Sequence, residues 1–308
     1  MGRYVVRRVL QMVLVFFGVT LLIYAAVYAL PGDPIKALAG DRPLSPSVVR
    51  DLRHRYHLDE PFPLQYGQYV LSLAHGDLGE DFTGESVSGL MAQRWPVTVQ
   101  LGVTAWVIEV VAGVALGTLA ALRRGRFWDH AVLVVTTLLL AMPVFVLAYV
   151  AQLLLGVRLA IFPVAGVQDG WPRDYLLPAA VVAAYGIASI ARLTRSALLE
   201  SLHADFVRTA TAKGLSRMRV VLRHAFRTSL IPIVTFLGIN LGYLLGGTVV
   251  IEGVFNLPGV GQLLFTSIQQ QDGPVVVGVA TALVLIFLVA SLGVDLLYGV
   301  LDPRIRYE

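Results

Sequence analysis

The chain has 308 residues, 56% hydrophobic and only 14% charged, with a formal net charge of +4 and no cysteine. Soluble domains carry nearer a quarter charged residues, so this composition belongs to a chain that meets lipid over much of its surface. Disulfides and thiolate metal sites are excluded, and no zinc-finger spacing or aromatic–basic alternation points to nucleic acid.

The first apolar run, Val9 to Leu30, follows Arg3, Arg7 and Arg8. At 1.5 Å per residue it reaches roughly 33 Å, enough to cross a bilayer and too long for a signal-peptide core. It ends in "ALPGDP", a helix stop, and is expected to remain as an uncleaved first span. The next segment, Pro31–Val97, is the one sizeable piece outside the membrane. Within it "PLSPSVVRDLRHRY" offers Ser45 or Ser47 as a helix N-cap beside Pro46. "EPFPLQYGQYVLSL" reads as a second short helix and "HGDLGE" as a turn. Two compatible roles follow: a helical cap on the first two spans, and a docking surface for a soluble partner.

Five further runs, at about 97–122, 131–156, 176–198, 230–251 and 275–300, are long enough to cross. The fourth is expected to continue as helix through "LTRSALLESL". The fold class is therefore an all-α polytopic membrane protein with six transmembrane helices. Sixteen of the 24 Lys and Arg fall on the side of the two termini and eight on the other, which puts both termini in the cytoplasm.

A few polar residues interrupt these runs. Glu109 sits near the middle of the second, and Gly113 and Gly117 follow at four-residue spacing on the same helix face. A charge at that depth costs on the order of 2.5–3.5 kcal/mol on insertion scales, so the side chain must face the bundle or water. It is either a neutral or hydrogen-bonded packing carboxyl or a polar point on a translocation path. Gly238, Gly242 and Gly246 form a second small-residue face in the fifth run. Beyond it "EGVFNLPGVGQLLFTSIQQQDGP" turns and carries a short helix too short to cross, with Glu252 at its start. Asp295, near the end of the sixth run, is expected to pair with a basic residue of the loop described next.

That loop, about 199–229, contains "DFVRTATAKGLSRMRVVLRHAFRTSLIP". Asp205 is expected to cap a short helix from Phe206, with Gly214 as its C′ residue. Ala210, Ala212 and Gly214 give that helix small residues, and Arg208 and Lys213 give it charge. From Ser216, the residues Met218, Val221, Leu222, Ala225, Phe226 and Ser229 share one face of a helical wheel, opposite Arg219, Arg223 and Arg227. The pattern predicts an amphipathic helix at the membrane surface leading into the fifth span, with Pro232 in the first turn of that span. The small-faced helix before it suits another protein's groove better than a lipid surface.

This loop resembles the cytoplasmic EAA-type loop of binding-protein-dependent ABC importer permeases, and most closely that of the dipeptide/oligopeptide family. "LLIYAAVYALPGDP", "LDEPFPLQYGQYVLSLAHGDLGE", "AALRRGRFWD", "MPVFVLAYV", "LGGTVVIEGVFNLPGVGQLL" and "LLYGVLDPRIRY" extend the resemblance in order along the chain. The long segment after span one is similar to that of the first, B-type member of the permease pair. The resemblance implies a type I (MetI-like) importer fold with an N-terminal helix and outer segment over 1–94, a five-helix permease core over 95–300 and a cytoplasmic tail over 301–308. It implies ATPase coupling through Asp205, Arg208, Ala210, Ala212, Lys213 and Gly214, with Ala210, Ala212 and Gly214 as the close-contact face. Glu252 becomes a gate candidate at the outer mouth, and Glu109 and Asp295 remain path candidates. The implied partners are a second homologous permease, two ATPase subunits or domains, an extracytoplasmic binding protein, the bilayer of the bacterial cytoplasmic membrane and a peptide substrate. The older generic loop opens with Glu-Ala-Ala, where this chain has Arg208-Thr209-Ala210, a departure that peptide-type members share.

No Walker A sequence, G-x-S-x-G or H-E-x-x-H occurs. ATP and Mg²⁺ are therefore expected on partner chains, with no cofactor, metal or catalytic residue here. Alternatives of another class are an intramembrane enzyme, for which only Glu109 and Asp295 offer carboxylates, and an ATP-independent transporter. Haem, nickel chelates and glutathione are alternative cargoes of the same machinery.

Overall fold

The computed structural model describes residues 2–29, 45–56 and 58–301. Residues 30–44, with the exit of the first run and Lys36, lie outside the described residues, as does the tail from 302. The chain forms two compact units, Met1–Thr98 with Pro258–Glu308, and Val99–Leu257.

The first unit holds α1 (Gly2–Tyr28), α2 (Pro46–Arg55), α3 (Phe62–Ala74), the start of α4 (Val87–Leu122), and two later helices described below. Pro46 opens α2, with the Ser45 hydroxyl accepting from the Val48 N–H at 3.4 Å, and Pro61 and Pro63 set the first turn of α3. The apolar stripe of α3 lies against long helices. Its Tyr66 hydroxyl meets Thr20 at 2.9 Å, its Tyr69 hydroxyl donates to Thr281 at 2.7 Å, and the Tyr69 ring lies 5.2 Å from that of Tyr24. Val87 and Met91 of α4 pack with Val260, Leu263, Val275 and Val279 in the core of this unit. The buried Thr98 hydroxyl accepts the Val260 N–H at 2.9 Å.

The second unit is organised around α7 (Arg173–His203), packed against α5 (Phe127–Ala141) and α6 (Val144–Ala151). Most of the membrane-length stretch of α7 is buried, because "PAAVVAAYGIASIA" presents small side chains that admit neighbouring backbones. At its start Asp174 turns inward, and its Oδ2 accepts the N–H groups of Gln168, Asp169 and Gly170 at 2.7–2.8 Å.

The longer helices that follow are α8 (Asp205–Ala212), α9 (Phe226–Val254), α10 (Val260–Gln269) and α11 (Gly273–Leu301), of which α10 and α11 complete the first unit. Two expectations need correction. The third apolar run is not one straight helix: Phe127–Ala141 and Val144–Arg158 meet at 109°. Pro143 disfavours helical backbone at Met142, which is extended at φ −89°, ψ 130°, and Pro143 itself is extended at ψ 139°. Among the described residues five helices are long and apolar enough to cross a membrane, or six if the bent pair counts as one span. The second correction concerns the amphipathic segment, where Arg217–Arg219 passes through a π-helical stretch, Val220–Ala225, into α9. The wider turn shifts the register, so Val220, Val221, Ala225 and Ser229 are buried while Met218 and Leu222 are exposed.

Candidate functional site

The loop between α7 and α9 builds a short helix with two distinct faces. Ala204, extended at φ −71° and ψ 152°, ends α7 and serves as the N-cap of α8. Asp205 is thus not the cap. It is the first helical residue and makes no capping bond, although an acid in the first turn still favours the positive end of the helix dipole. Its carboxylate faces Arg208 at 3.6 Å, with both side chains largely in solvent.

The other end is fixed by Gly214 at φ +76°. Its N–H donates to the Thr211 carbonyl at 2.9 Å, and the Leu215 N–H donates to the Ala210 carbonyl at 3.3 Å. This pair of bonds is a Schellman ending, which needs a left-handed residue at C′. A Cβ at Gly214 would meet nothing within 4 Å among the described residues, so within this chain the glycine serves the backbone turn.

Val207 and Ala210 face inward, buried with Ala121, Leu198, Val220 and Ala225. Ala210 therefore holds α8 to its own unit and does not belong to an outward face. The outward surface consists of Phe206, Arg208, Thr209, Ala212, Lys213 and Gly214. Behind the helix lies a cavity of about 360 Å³ lined by Leu122, Leu202, Val207, Thr211 and Leu215 among others.

Two polar anchors brace this end of the unit. Arg195 of α7 grips Asp129 of α5 with a fork, Nε to Oδ1 at 2.6 Å and the second guanidinium nitrogen to Oδ2 at 2.9 Å. The same Oδ2 accepts the Gly125 N–H at 2.9 Å, tying down the loop that joins α4 to α5. One turn away Arg192 donates to the hydroxyls of Thr136 and Thr137 at 3.2 and 2.6 Å.

Glu109 is fully buried at a three-helix contact within the second unit. The Asn240 side-chain amide of α9 donates a short hydrogen bond to its Oε1, and Oε2 is buried with no hydrogen-bond partner among the described residues. Opposite it is Gly186 of α7, where any Cβ would overlap the carboxyl group. The same face continues along α4. A Cβ on Gly113 would lie 2.7 Å from the Ile190 Cβ, and one on Gly117 would lie 2.6 Å from the Thr194 Cβ. Glu252 is likewise fully buried. Gly238 is half-buried in α9. The surroundings of Gly242, Gly246 and Asp295 lie outside the described residues.

Sequence reasoning missed Asp129, Arg195, Asn240 and Gly186. Asp129 did carry a signal, being the one acid beside "RRGR". Asn240 and Gly186 each interrupt an apolar run, but nothing local says that they meet Glu109, 131 residues from Asn240.

The family described as "Binding-protein-dependent transport system inner membrane component" matches residues 113–307, and its N-terminal counterpart matches residues 1–102. The chain is 37% identical to the di/tripeptide transport system permease protein DppB of Pseudomonas aeruginosa, over 99% of each chain. It is 35% identical to the dipeptide transport system permease protein DppB of Escherichia coli over the full length of both.

Proposed function

The chain belongs to the family of binding-protein-dependent transport inner-membrane components, and from that premise we propose that it is the B-type permease subunit of an ATP-driven peptide importer. The peptide reading is supported by the relatives, which are named as dipeptide and di/tripeptide permeases. The subunit translocates peptide delivered by an extracytoplasmic binding protein. A second homologous permease completes the membrane path, and two ATPase subunits bind ATP and Mg²⁺ and do the hydrolysis. Both termini and the α7–α9 loop face the cytoplasm, following the distribution of Lys and Arg.

The observation that carries the coupling role is the two-faced α8. Its outward surface is free for a partner, while Val207 and Ala210 are packed on Leu198 of α7 and Val220 of the π-helical stretch. A push on α8 therefore reaches α7 and α9 through the Val207 and Ala210 contacts, beside the cavity that lies behind the helix. Arg208 and Lys213 supply the polar contacts, and Ala212 allows close approach.

The test uses the reconstituted complex. Ala212→Trp and Lys213→Glu change only the outward face, so thermal unfolding should stay at the parent value. Ligand-stimulated ATP hydrolysis should fall at least tenfold in each. Normal stimulated hydrolysis in both would defeat the coupling role. It would favour a membrane-surface role for the loop, which exposed Met218 and Leu222 beside Arg219 and Arg223 also support. Uptake of dialanine into proteoliposomes, compared with haem, a nickel chelate and glutathione, tests the cargo.

A further inference from the structure

The segment that joins α8 to α9 carries two helical registers in one sequence. In the structure its turns widen over Val220–Ala225, and the Phe226 N–H donates to the Val221 carbonyl, five residues back. This register buries Val220, Val221, Ala225 and Ser229, with Val220 only 4% exposed. Met218 and Leu222 are left outside, 68% and 58% exposed. A regular α-helix running back from Ser229 groups different residues. Steps of three and four reach Ala225, Leu222, Val221 and Met218, and they leave Val220 on the opposite side.

Neither register buries a charge. Arg219, Arg223 and Arg227 are exposed in the structure, and in the α register they stay outside the apolar group. The α register gains two large side chains, Met218 and Leu222, in exchange for Val220, and it restores regular helical bonds. What favours the wider turn is the position of α8, because Val220 packs with Val207 and Ala210 of that helix and Leu198 of α7. Room for the exchange is already present. The cavity of about 360 Å³ behind α8 is lined by Val220 and Val221 on one side and by Leu202, Thr211 and Leu215 on the other. The link that must give is Lys213–Ser216, where Gly214 is left-handed at φ +76° and Ser216 is extended at ψ 145°.

We propose that this segment is a register switch driven by α8. Displacement of α8 releases Val220, the stretch Val220–Ala225 closes to an α-helix, and Leu222 takes the place of Val220 against the core. One residue of register turns the segment that carries Met218 and Leu222 by about 100°. A shift of α8 is thereby converted into a rotation at the foot of α9. The proposal rests on the coupling role of α8 given above.

The test is thiol labelling in the reconstituted complex, read on this chain by mass, which has no native cysteine to interfere. Leu222→Cys and Val220→Cys are compared without nucleotide and after trapping with ATP and orthovanadate. Between the two states the reactivities should exchange, one site slowing and the other quickening by at least fivefold. Both slowing together would mean that a partner covers the segment, and both unchanged would mean that the register is fixed; either result overturns the proposal. Leu222→Gln adds a functional readout. The position is exposed in the structure, so the unfolding midpoint should stay at the parent value. Ligand-stimulated ATP hydrolysis should fall at least tenfold, because the amide must enter the apolar core in the other register. Normal stimulated hydrolysis in Leu222→Gln would overturn the proposal as well. Fixed reactivities together with lost stimulation in Ala212→Trp reject the switch alone. Normal stimulation in both Ala212→Trp and Lys213→Glu rejects the coupling role on which it rests.

Discussion

Near the end of α7, Arg195 holds Asp129 in a two-pronged grip, and the acid is 3% exposed. Further along, on α8, Arg208 leans toward Asp205 at 3.6 Å with the acid 96% exposed. The residue types are the same and the two arginines lie on successive helices, yet the two pairs do different work. The first is a desolvated, geometrically fixed clamp whose partner cannot be removed cheaply. The second is solvated and contributes little to folding, which leaves its charges available to another protein. Burial, more than charge, decides which acids of this chain are structural.

Removing the clamp should have the largest effect. Asp129→Ala leaves Arg195 partly buried and the Gly125 N–H without its acceptor, and it should cost about 3 kcal/mol of stability. Thermal unfolding in detergent will read this as a clear drop in midpoint. A midpoint within error of the parent would erase the distinction between the two pairs.

Glu109 extends the comparison to an acid whose partner is an amide. Glu109→Gln keeps an acceptor for Asn240 and should leave both stability and uptake near the parent values. Glu109→Leu strands the Asn240 amide in the interior and should cost roughly 1–3 kcal/mol. Uptake of charged peptides changed by Glu109→Gln, with Glu109→Leu as stable as the parent, would make the residue part of the path instead.

Asp272, at the start of α11, is an acid that burial isolates. Burial and the nearby Asp81 carboxylate raise it from an ordinary 3.8 to about 6, against a weak bond from the Val275 N–H. Between those pH values the folded state binds more protons than the unfolded one. Stability should therefore fall as pH rises through about 4 to 6 and flatten above. Asp272→Asn should remove that slope, as read from unfolding midpoints across the window. A slope that survives the substitution would assign it to another group.

The smallest effect is expected at the exposed pair, where Asp205→Ala should leave the unfolding midpoint unchanged. A marked fall would show that the α8 acid is structural after all and would collapse the contrast with Asp129.

The helical class, the apolar runs and the α8 segment with its terminal Gly214 were legible because each is written in local composition, period or turn chemistry. The bend at Met142–Pro143 was also locally encoded, but a long uninterrupted apolar run masks a proline when length alone is weighed. The inward turn of Ala210 was not legible. A helical wheel places Phe206, Ala210 and Gly214 on neighbouring positions, and only the packing of Leu198 and Val220 shows which of them is covered.

What the sequence determined by itself is the chemistry each segment brings: lipid-matched helices, a basic loop, a helix stop that only glycine satisfies easily, and acids too few to be incidental. What only the tertiary structure decided is which of those acids has a partner. Asp129 meets Arg195 across 66 residues and Glu109 meets Asn240 across 131, while among the described residues Asp205 finds only its own helix neighbour. Such pairings depend on how helices cross, and the crossings are set by small residues such as Gly113, Gly117 and Gly186, whose missing side chains let backbones and carboxyl groups approach. A local pattern records where space is left open, but the residue that fills it comes from a distant part of the chain.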